Sequence, residues 1–156
     1  MPGYGISADS DGLLDWSWAR TRLESHHTYW VCTCDADQVP HAAPVWGIWD
    51  QGAFVFSTGD CSRKYKNLLA NPRCVVALDG GEESLVLHGS AALLGRSGDP
   101  LLAPVSAGYQ AKYGTDLAAM NEPVFAVAAA TVIAQIDRDE QFTRTATRWT
   151  FDHGPH

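Results

Sequence analysis

The chain of 156 residues lacks the features that mark several large functional classes. It has no excess of positive charge, since 11 Lys and Arg face 18 Asp and Glu, for a net charge of -7. An acidic chain repels a phosphate backbone, so a nucleic-acid partner is not expected. The longest apolar stretch, residues 124–134, is far shorter than the ~20 residues of a membrane-spanning helix. The sequence therefore predicts neither nucleic-acid binding nor a membrane protein.

Secretion and the common catalytic signatures are also missing. Residues 1–5 lack the charged and apolar regions of a secretory signal, and the four cysteines are expected to be reduced thiols of a cytoplasmic protein. Cys32 and Cys34 share one strand face, and a zinc pair is the alternative to packed thiols, but no second pair stands at finger spacing. We predict no metal site. Nucleotide-binding glycine loops and Ser-His-Asp patterns are absent, which argues against kinase and hydrolase functions.

What the chain does have is a 46% hydrophobic composition, enough for the core of a single domain over residues 11–156 after a flexible arm at residues 1–10. The pattern predicts strands at residues 28–34, 39–49, 53–58, 73–78, 84–94, 124–136 and 141–151, and helices at 15–25, 62–70 and 98–113. Short hairpin links imply antiparallel pairing. A mainly β barrel of about six to seven strands with about two to three short helices is expected.

Three helical faces and one pair of tryptophans are expected to pack. The residues that share a face are Trp16, Ala19, Arg20 and Leu23 in the first, amphipathic helix, and Leu102, Val105, Tyr109 and Tyr113 in the third. Tyr65, Leu68 and Leu69 are expected to form the buried face of the second. Pro104 fits only within the first turn of the third helix. Trp46 and Trp49 are three residues apart, so they are expected on opposite faces of one strand, one of them beneath a helix.

The most informative segment joins a strand to the second predicted helix. Ser57 and Thr58 end the strand, and Ser62 is a suitable N-cap. Arg63 and Lys64 then place two cations at the positive end of the helix, where they oppose its stability unless an anion neutralises them. We therefore predict a phosphate site here. The alternative is a pair of solvated surface charges, matched by Asp60, Glu82 or Glu83.

These motifs resemble a known family. Phe56-x-Thr58-x-x-x-Ser62-Arg63-Lys64, followed by Asn71-Pro72-Arg73 and Gly89, is similar to the pyridoxamine 5'-phosphate oxidase-like family of flavin-binding split β-barrels. The likeness covers about residues 14–151. Pro40-His41-x-x-Pro44-Val45-Trp46 and Ser62-Arg63-Lys64-x-x-Asn67-Leu68 look most like the branch that uses the deazaflavin coenzyme F420. The resemblance implies a split β-barrel homodimer with cofactor sites at its interface.

The resemblance also implies which residues bind the cofactor. Ser57, Thr58, Ser62, Arg63, Lys64 and Asn67 would lie at the phosphate, Pro44, Val45, Trp46, Gly47, Ile48 and Ser84 at the ring, and Arg148 and Trp149 on the closing strand that reaches the partner's site. Ala43 and Ile48 stand where true pyridoxamine phosphate oxidases have Arg and Lys, which argues against vitamin B6 phosphate as substrate. Trp149 is interpreted as a cofactor wall, with core packing as the alternative.

The function implied is hydride transfer from reduced F420 to a small conjugated or heteroaromatic substrate. His41 is the candidate proton donor, and a strand-end residue bonded to a neighbour is the other interpretation. An FMN-dependent oxidase or reductase is the alternative enzyme. A flavin or haem carrier without turnover is the non-enzymatic alternative, with His41, His88 or a cysteine as an axial ligand.

Overall fold

Eight antiparallel strands dominate the computed structural model, which describes residues 12–78, 80–137 and 142–151. The strands are β1 (Tyr29–Cys34), β2 (Pro40–Val45), β3 (Gly47–Asp50), β4 (Ala53–Ser57), β5 (Arg73–Leu78), β6 (Glu83–Arg96), β7 (Pro123–Ile136) and β8 (Thr147–Thr150). The helices are α1 (Trp16–Ser25), α2 (Arg63–Ala70), α3 (Ala103–Tyr113), α4 (Leu117–Met120) and α5 (Phe142–Thr145), and a 3-10 turn (Pro100–Leu102) precedes α3. The arm predicted at residues 1–10 lies outside the described residues.

The order of the strands makes the sheet curl. They run β2-β1-β5-β6-β7-β4-β3, and β8 also pairs with β7. The two edge strands β2 and β3 are consecutive in the chain and are separated by Trp46 alone. Because one residue cannot bridge the width of a flat sheet, the edges must approach each other, and the sheet forms a curled half-barrel split at Trp46. The predicted split-barrel fold class is confirmed.

Two predicted strands differ in detail. The strand expected over residues 39–49 is broken into β2 and β3, which adds a strand to the expected number. The segment expected as a strand over residues 141–151 contains the helical turn α5 before the shorter strand β8. In that segment Thr145 Oγ1 accepts a hydrogen bond from the backbone N–H of Ile136 at 2.9 Å, which ties the turn to the end of β7.

The inside of the half-barrel holds the larger core. Tyr29, Phe54, Phe56 and Phe125 are fully buried there. Helix α1 covers this core with Ala19 and Leu23, whereas Arg20, expected on the same face, is exposed and pairs with Glu24. Trp16 on α1 packs edge-on against Trp49, with ring centroids 6.2 Å apart. Trp49 is therefore the one of the tryptophan pair Trp46 and Trp49 that lies beneath a helix, as expected.

A second core lies on the outer side of β3 and β4. Val105, Tyr109 and Leu117 from α3 and α4 pack against Ile48 and Val55. As a result β4 is covered on both faces, and α3 is held beside the split in the barrel. Pro104 lies in the first turn of α3, as required. No helix within the described ranges is long and apolar enough to cross a membrane.

Helix α2 begins where the sequence predicts, and Tyr65 and Leu68 pack inward as expected. Ser62 caps it by accepting a hydrogen bond from the backbone N–H of Tyr65 at 3.2 Å. Leu68 is buried, but Leu69 is 55% exposed, which corrects its assignment to the buried face. Asn67 is buried instead, and its side-chain amide donates to Thr33 Oγ1 on β1 at 3.0 Å. A polar residue thus anchors α2 to the sheet.

Candidate ligand-binding cleft

A cleft of about 420 Å³ lies at the split in the barrel. Its walls come from the ends of β2 and β4, the first turn of α2, and the segment that runs from α3 through α4 to β7. The lining residues are Thr28, Pro44, Val45, Trp46, Ser57, Thr58, Gly59, Lys64, Tyr109, Thr115, Leu117, Met120 and Glu122. Its volume lies within the range of small-molecule sites.

The chain at the split depends on a glycine. Gly47 follows Trp46 and begins β3, and a Cβ atom at this position would overlap the ring of Phe54. Only a residue without a side chain lets the backbone pass so close to the core at this point. The path of the backbone is therefore set by the packing beneath it, and Trp46 is placed at the cleft.

Helix α3 holds the backbone on both sides of the break. The Tyr109 hydroxyl donates to the carbonyl of Trp46 at 2.7 Å and accepts from the backbone N–H of Ser57 at 3.1 Å. The carbonyl of Gly47 accepts from the Tyr113 hydroxyl at 2.7 Å and from Lys112 Nζ at 2.9 Å. These bonds satisfy backbone groups that the interrupted strand cannot pair.

Trp46 presents a flat aromatic surface at the mouth of the cleft. The residue is 44% exposed, and its ring stacks on Tyr113 with centroids 4.8 Å apart and planes 3° from parallel. His27 meets both rings edge-on, with centroid distances of 5.7 Å to Trp46 and 5.3 Å to Tyr113. The stack fixes the orientation of the tryptophan and leaves part of its ring open to a planar ligand.

Lys112 has a perturbed pKa in this arrangement. Its ammonium donates to the hydroxyl of the fully buried Tyr29 at 2.7 Å as well as to Gly47. Burial lowers the pKa of Lys112 to about 8, because the charged form loses hydration. Burial also raises the pKa of the Tyr29 and Tyr109 hydroxyls, so both are neutral donors at ordinary pH.

The hydroxyl residues at the end of β4 are already engaged within the chain. Thr58 is buried, and its Oγ1 lies 3.0 Å from Oγ of the cap residue Ser62. Ser57 Oγ donates within reach of two acceptors, the Pro123 carbonyl at 3.1 Å and Glu122 Oε2 at 3.3 Å. Lys64 is the cation among the lining residues and Glu122 is the carboxylate, so the cleft carries one charge of each sign.

Arg63 and His41 meet outside the cleft. Both approach Asp35 Oδ2, at 3.7 Å from Arg63 Nη1 and 3.2 Å from His41 Nε2. The backbone N–H of Val39 and the ring of His41 both hold the pKa of Asp35 below its usual range. The partner of Arg63 is therefore Asp35 rather than the three carboxylates considered from sequence. His41 is a strand-end residue bonded to a neighbour, which is the second of its two interpretations.

The structure brings together only part of the site that the resemblance implied. Pro44, Val45, Trp46, Ser57, Thr58 and Lys64 line one cleft. The others lie elsewhere in the single chain: Gly47 and Ile48 beneath α3, Ser62 at the cap, Arg63 on Asp35, Asn67 on Thr33, Ser84 opposite Gln135 in β6, and Arg148 and Trp149 on β8. Within the single chain Trp149 is partly buried and packs against Trp16, with ring centroids 5.4 Å apart.

Sequence reasoning missed the wall formed by α3 and α4. Tyr109 was expected only to pack, and it does so while also bonding to the backbone at the split. Thr115, Leu117, Met120 and Glu122 were not assigned any role. The signal available for Glu122 is a carboxylate immediately before the long apolar stretch of β7, a position where a charged side chain must face a cavity or solvent.

A metal site does not emerge from the described side chains. Among the residues that the structure describes, no three His, Cys, Asp or Glu side chains converge in a way that suits a metal ion. Cys74 is buried in the core, which raises the pKa of its thiol to about 12, and Cys32 and Cys34 lie on the opposite face of β1 from Tyr29 and Val31.

The fold and the cleft define a split-barrel protein with a cleft of small-molecule size that Trp46, Lys64 and Glu122 help to line. The model of the pyridoxamine 5'-phosphate oxidase family matches residues 18–143, and the chain belongs to that family. No protein with a curated description matches it in sequence. The family includes oxidoreductases that use flavins, which agrees with the resemblance carried by the motifs at residues 56–73.

Solved structures share the fold at low sequence identity. A conserved hypothetical protein from Mycobacterium tuberculosis has a TM-score of 0.71 and 20% identity, covering 85% of this chain and 91% of its own. A haem-binding protein from Mycobacterium smegmatis has a TM-score of 0.69 and 19% identity over 85% of this chain, which spans 56% of that protein's length. An F420 reductase has a TM-score of 0.57 and 18% identity, covering 72% of this chain and 94% of its own.

Proposed function

We propose that the protein is a cytoplasmic oxidoreductase that binds coenzyme F420 in the cleft at Trp46 and transfers a hydride to a small conjugated or heteroaromatic substrate. The observation that carries this proposal is the meeting of a flat aromatic face, Trp46, with the cationic first turn of α2 at Lys64 in one cleft. An aromatic wall suits the ring of a flavin, and a helix N-terminus with a lysine suits its phosphate.

The residues of the chain would bind and orient the cofactor. Lys64 and the unpaired N–H groups of α2 would hold the phosphate, while the ends of β2 and β4 would line the rest of the ligand. Tyr109 and Tyr113 would keep Trp46 in place by bonding to the backbone around it. The bound deazaflavin or flavin would supply the hydride chemistry itself. No side chain that donates the proton is assigned.

The apolar outer face of the sheet supports the proposal of a homodimer with the cleft at its interface. Trp30, 38% exposed, is the register partner of Pro44 in the pairing of β1 with β2, and Pro44 lines the cleft. A second copy that covers this face would exclude water from the open side of the cleft. Arg148 on β8 would then reach the partner's site.

Titration with cofactors tests the proposal. F420 and FMN would be added separately to the purified protein while tryptophan fluorescence is followed, because a ring stacked on Trp46 quenches its emission. We expect saturable quenching that is tighter with F420 than with FMN and that falls in a Trp46→Leu variant. A preference for FMN would favour the FMN-dependent oxidase or reductase. Failure of both cofactors to bind would contradict the assignment of the cleft.

A carrier of flavin or haem without turnover is the second candidate, and one local feature favours it. His27 lies beside Trp46 at the mouth of the cleft and offers an imidazole as an axial ligand. Haem binding is also named for the similar structure from Mycobacterium smegmatis. An intense Soret absorption band in the protein as isolated, lost in a His27→Ala variant, would support the carrier. Reoxidation of bound reduced F420 by an added acceptor would support the enzyme.

A further inference from the structure

Glu122 stands in the cleft on a rigid piece of backbone. Its N–H donates to Oγ of Ser97 at 3.0 Å, and its carbonyl accepts from the N–H of Ser97 at 2.8 Å. Ser97 is buried, and its hydroxyl donates to the carbonyl of Leu117 at 2.7 Å. The next residue, Pro123, accepts from the N–H of Thr58 at 3.1 Å. The backbone from which the carboxylate reaches the cleft is therefore held in place.

The hydrogen-bonding capacity of this carboxylate is largely unused. Ser57 offers one hydroxyl proton, for which the Pro123 carbonyl competes with Glu122 Oε2. Within the described part of the chain, Glu122 forms no ion pair with Lys, Arg or His. The other carboxylate oxygen, Oε1, lies next to Gly59, which also lines the cleft. A Cβ atom added to Gly59 would be 3.7 Å from this oxygen. An ionised carboxyl has about four acceptor sites, so a ligand donor can be accommodated.

Lys64 lies on another wall of the same cleft and has the opposite charge. A phosphate at Lys64 is attracted, whereas a second anionic group near Ser57 would meet Glu122. The carboxylate favours a hydroxyl or N–H donor at that end, because charge-assisted hydrogen bonds are stronger than neutral ones. The two residues thus demand different chemical groups at two positions along one ligand.

We propose that Glu122 is a specificity-determining residue that accepts a hydrogen bond from a hydroxyl or N–H group of the bound ligand and rejects a second anion at that position. The ligand class selected has one anionic end and a hydroxylated segment, such as a flavin with its sugar-alcohol chain. Haem, which carries two carboxylates on neighbouring arms, is disfavoured. This inference rests on the proposed function of the cleft.

The test compares Glu122→Gln with the wild type, using riboflavin and haem as probes followed by fluorescence quenching. Riboflavin carries the hydroxylated chain without a phosphate. We expect its affinity to fall about fivefold in the variant, because a charge-assisted hydrogen bond is roughly twice as strong as a neutral one. Haem affinity should rise about threefold, the size typical of one partly screened charge pair. Glu24→Gln, which changes the same charge on α1, should leave both affinities unchanged.

A second variant covers the possibility that Glu122→Gln disturbs the fold. Glu122→Asp keeps the charge but withdraws it by one methylene group, so riboflavin affinity should fall while haem affinity stays as low as in the wild type. Changes of riboflavin and haem affinity in the same direction, or no change in either, would overturn the inference. If the variants give such a result but the wild type binds F420 or FMN, only the inference about Glu122 fails and the proposed function stands. If it binds neither, both are contradicted.

Discussion

Two neighbouring cations at the start of α2 have different surroundings. Lys64 lines the cleft, and within the described residues it forms no ion pair. Arg63 is 66% exposed and lies 3.7 Å from Asp35, away from the cleft. The sequence places both cations at the positive end of a helix but does not show which of them faces a cavity. Adjacent helical residues point about 100° apart, so the surrounding fold decides which one does.

The difference predicts unequal effects of the two substitutions. Lys64→Met should weaken FMN binding about tenfold or more, because it removes a charge-assisted bond to phosphate of about 1.5–3 kcal/mol. Arg63→Met should weaken it less than about threefold, the limit expected for a screened exposed charge. Calorimetric titration with FMN measures both, and Lys66→Met, on an exposed position of the same helix, is the matched control. A larger loss for Arg63→Met would contradict the assignment of Lys64.

Lys112 predicts a specific pH dependence of stability. In the folded protein its pKa is lowered to about 8, against an ordinary value of 10.5 in the unfolded chain. Between these values the unfolded state binds more protons, so the contribution of Lys112 to stability rises as the pH increases through this window. Below the folded pKa the partly buried charge carries its full desolvation cost.

Replacement of Lys112 by Met should remove that dependence. Urea unfolding at several pH values from about 7 to about 10 would give the free energy of unfolding of both proteins. We expect the wild type to gain stability relative to Lys112→Met as the pH rises. The pKa values of the surrounding Tyr29, Tyr109 and Tyr113 are raised by burial, so these hydroxyls stay neutral in the folded protein below about pH 10. Parallel pH profiles would show that Lys112 keeps its ordinary pKa.

Among the secondary-structure elements, α3 has the clearest dual role. One face packs on Ile48 and Val55, and the hydroxyls of Tyr109 and Tyr113 bond to the backbone where β2 gives way to β3. The helical spacing of Tyr109 and Tyr113 correctly predicts that they share a face of α3, because residues four positions apart lie on the same side of a helix. It does not predict the bonds, because the break in the strand at Trp46 has no marker beyond the following glycine.

Tyr109→Phe should therefore destabilise the protein and loosen the cleft together. The variant removes the hydrogen bonds of the Ser57 N–H and the Trp46 carbonyl, both partly buried, at a cost of about 1 kcal/mol for each. Chemical denaturation measures the loss, and flavin titration measures the effect on affinity. Tyr65→Phe is the control, because within the described residues the Tyr65 hydroxyl forms no hydrogen bond while its ring packs on Phe125. Equal stabilities of the two variants would contradict this role of α3.

At the scale of the whole molecule, the outer face of the sheet is the unexplained apolar surface. Trp30 is exposed there, and its pairing with Pro44 connects this face to the cleft. A monomer would leave both the outer face of the sheet and the cleft open to water. The proposed homodimer covers the face and closes the cleft in one step.

Trp30→Glu should convert the dimer to a monomer, because it buries a charge in an apolar interface. Sedimentation velocity or size-exclusion chromatography with light scattering gives the molecular mass directly. The monomer should also bind flavin more weakly, since one wall of the site is lost. Leu101→Glu, at a residue 86% exposed on the 3-10 turn, should remain dimeric. A monomeric wild type would contradict the proposed assembly.

The sequence predicts the fold better than it predicts the site. Strand periodicity, hairpin turns and the motif at residues 56–73 lead to the split barrel, because these signals are local or are carried by the family. The cleft depends on long-range placement. Glu122 and Tyr109 reach it from segments more than forty residues away from Lys64, and Trp149, close to Arg148 in sequence, is drawn into the core by Trp16.

The structure of the protein with bound F420 or FMN tests the central claim most directly. The account predicts a phosphate within hydrogen-bonding distance of Lys64 Nζ at the first turn of α2, and a ring that contacts Trp46. A cofactor bound elsewhere, or a cleft in which Glu122 turns onto Lys64 and no ligand enters, would contradict it.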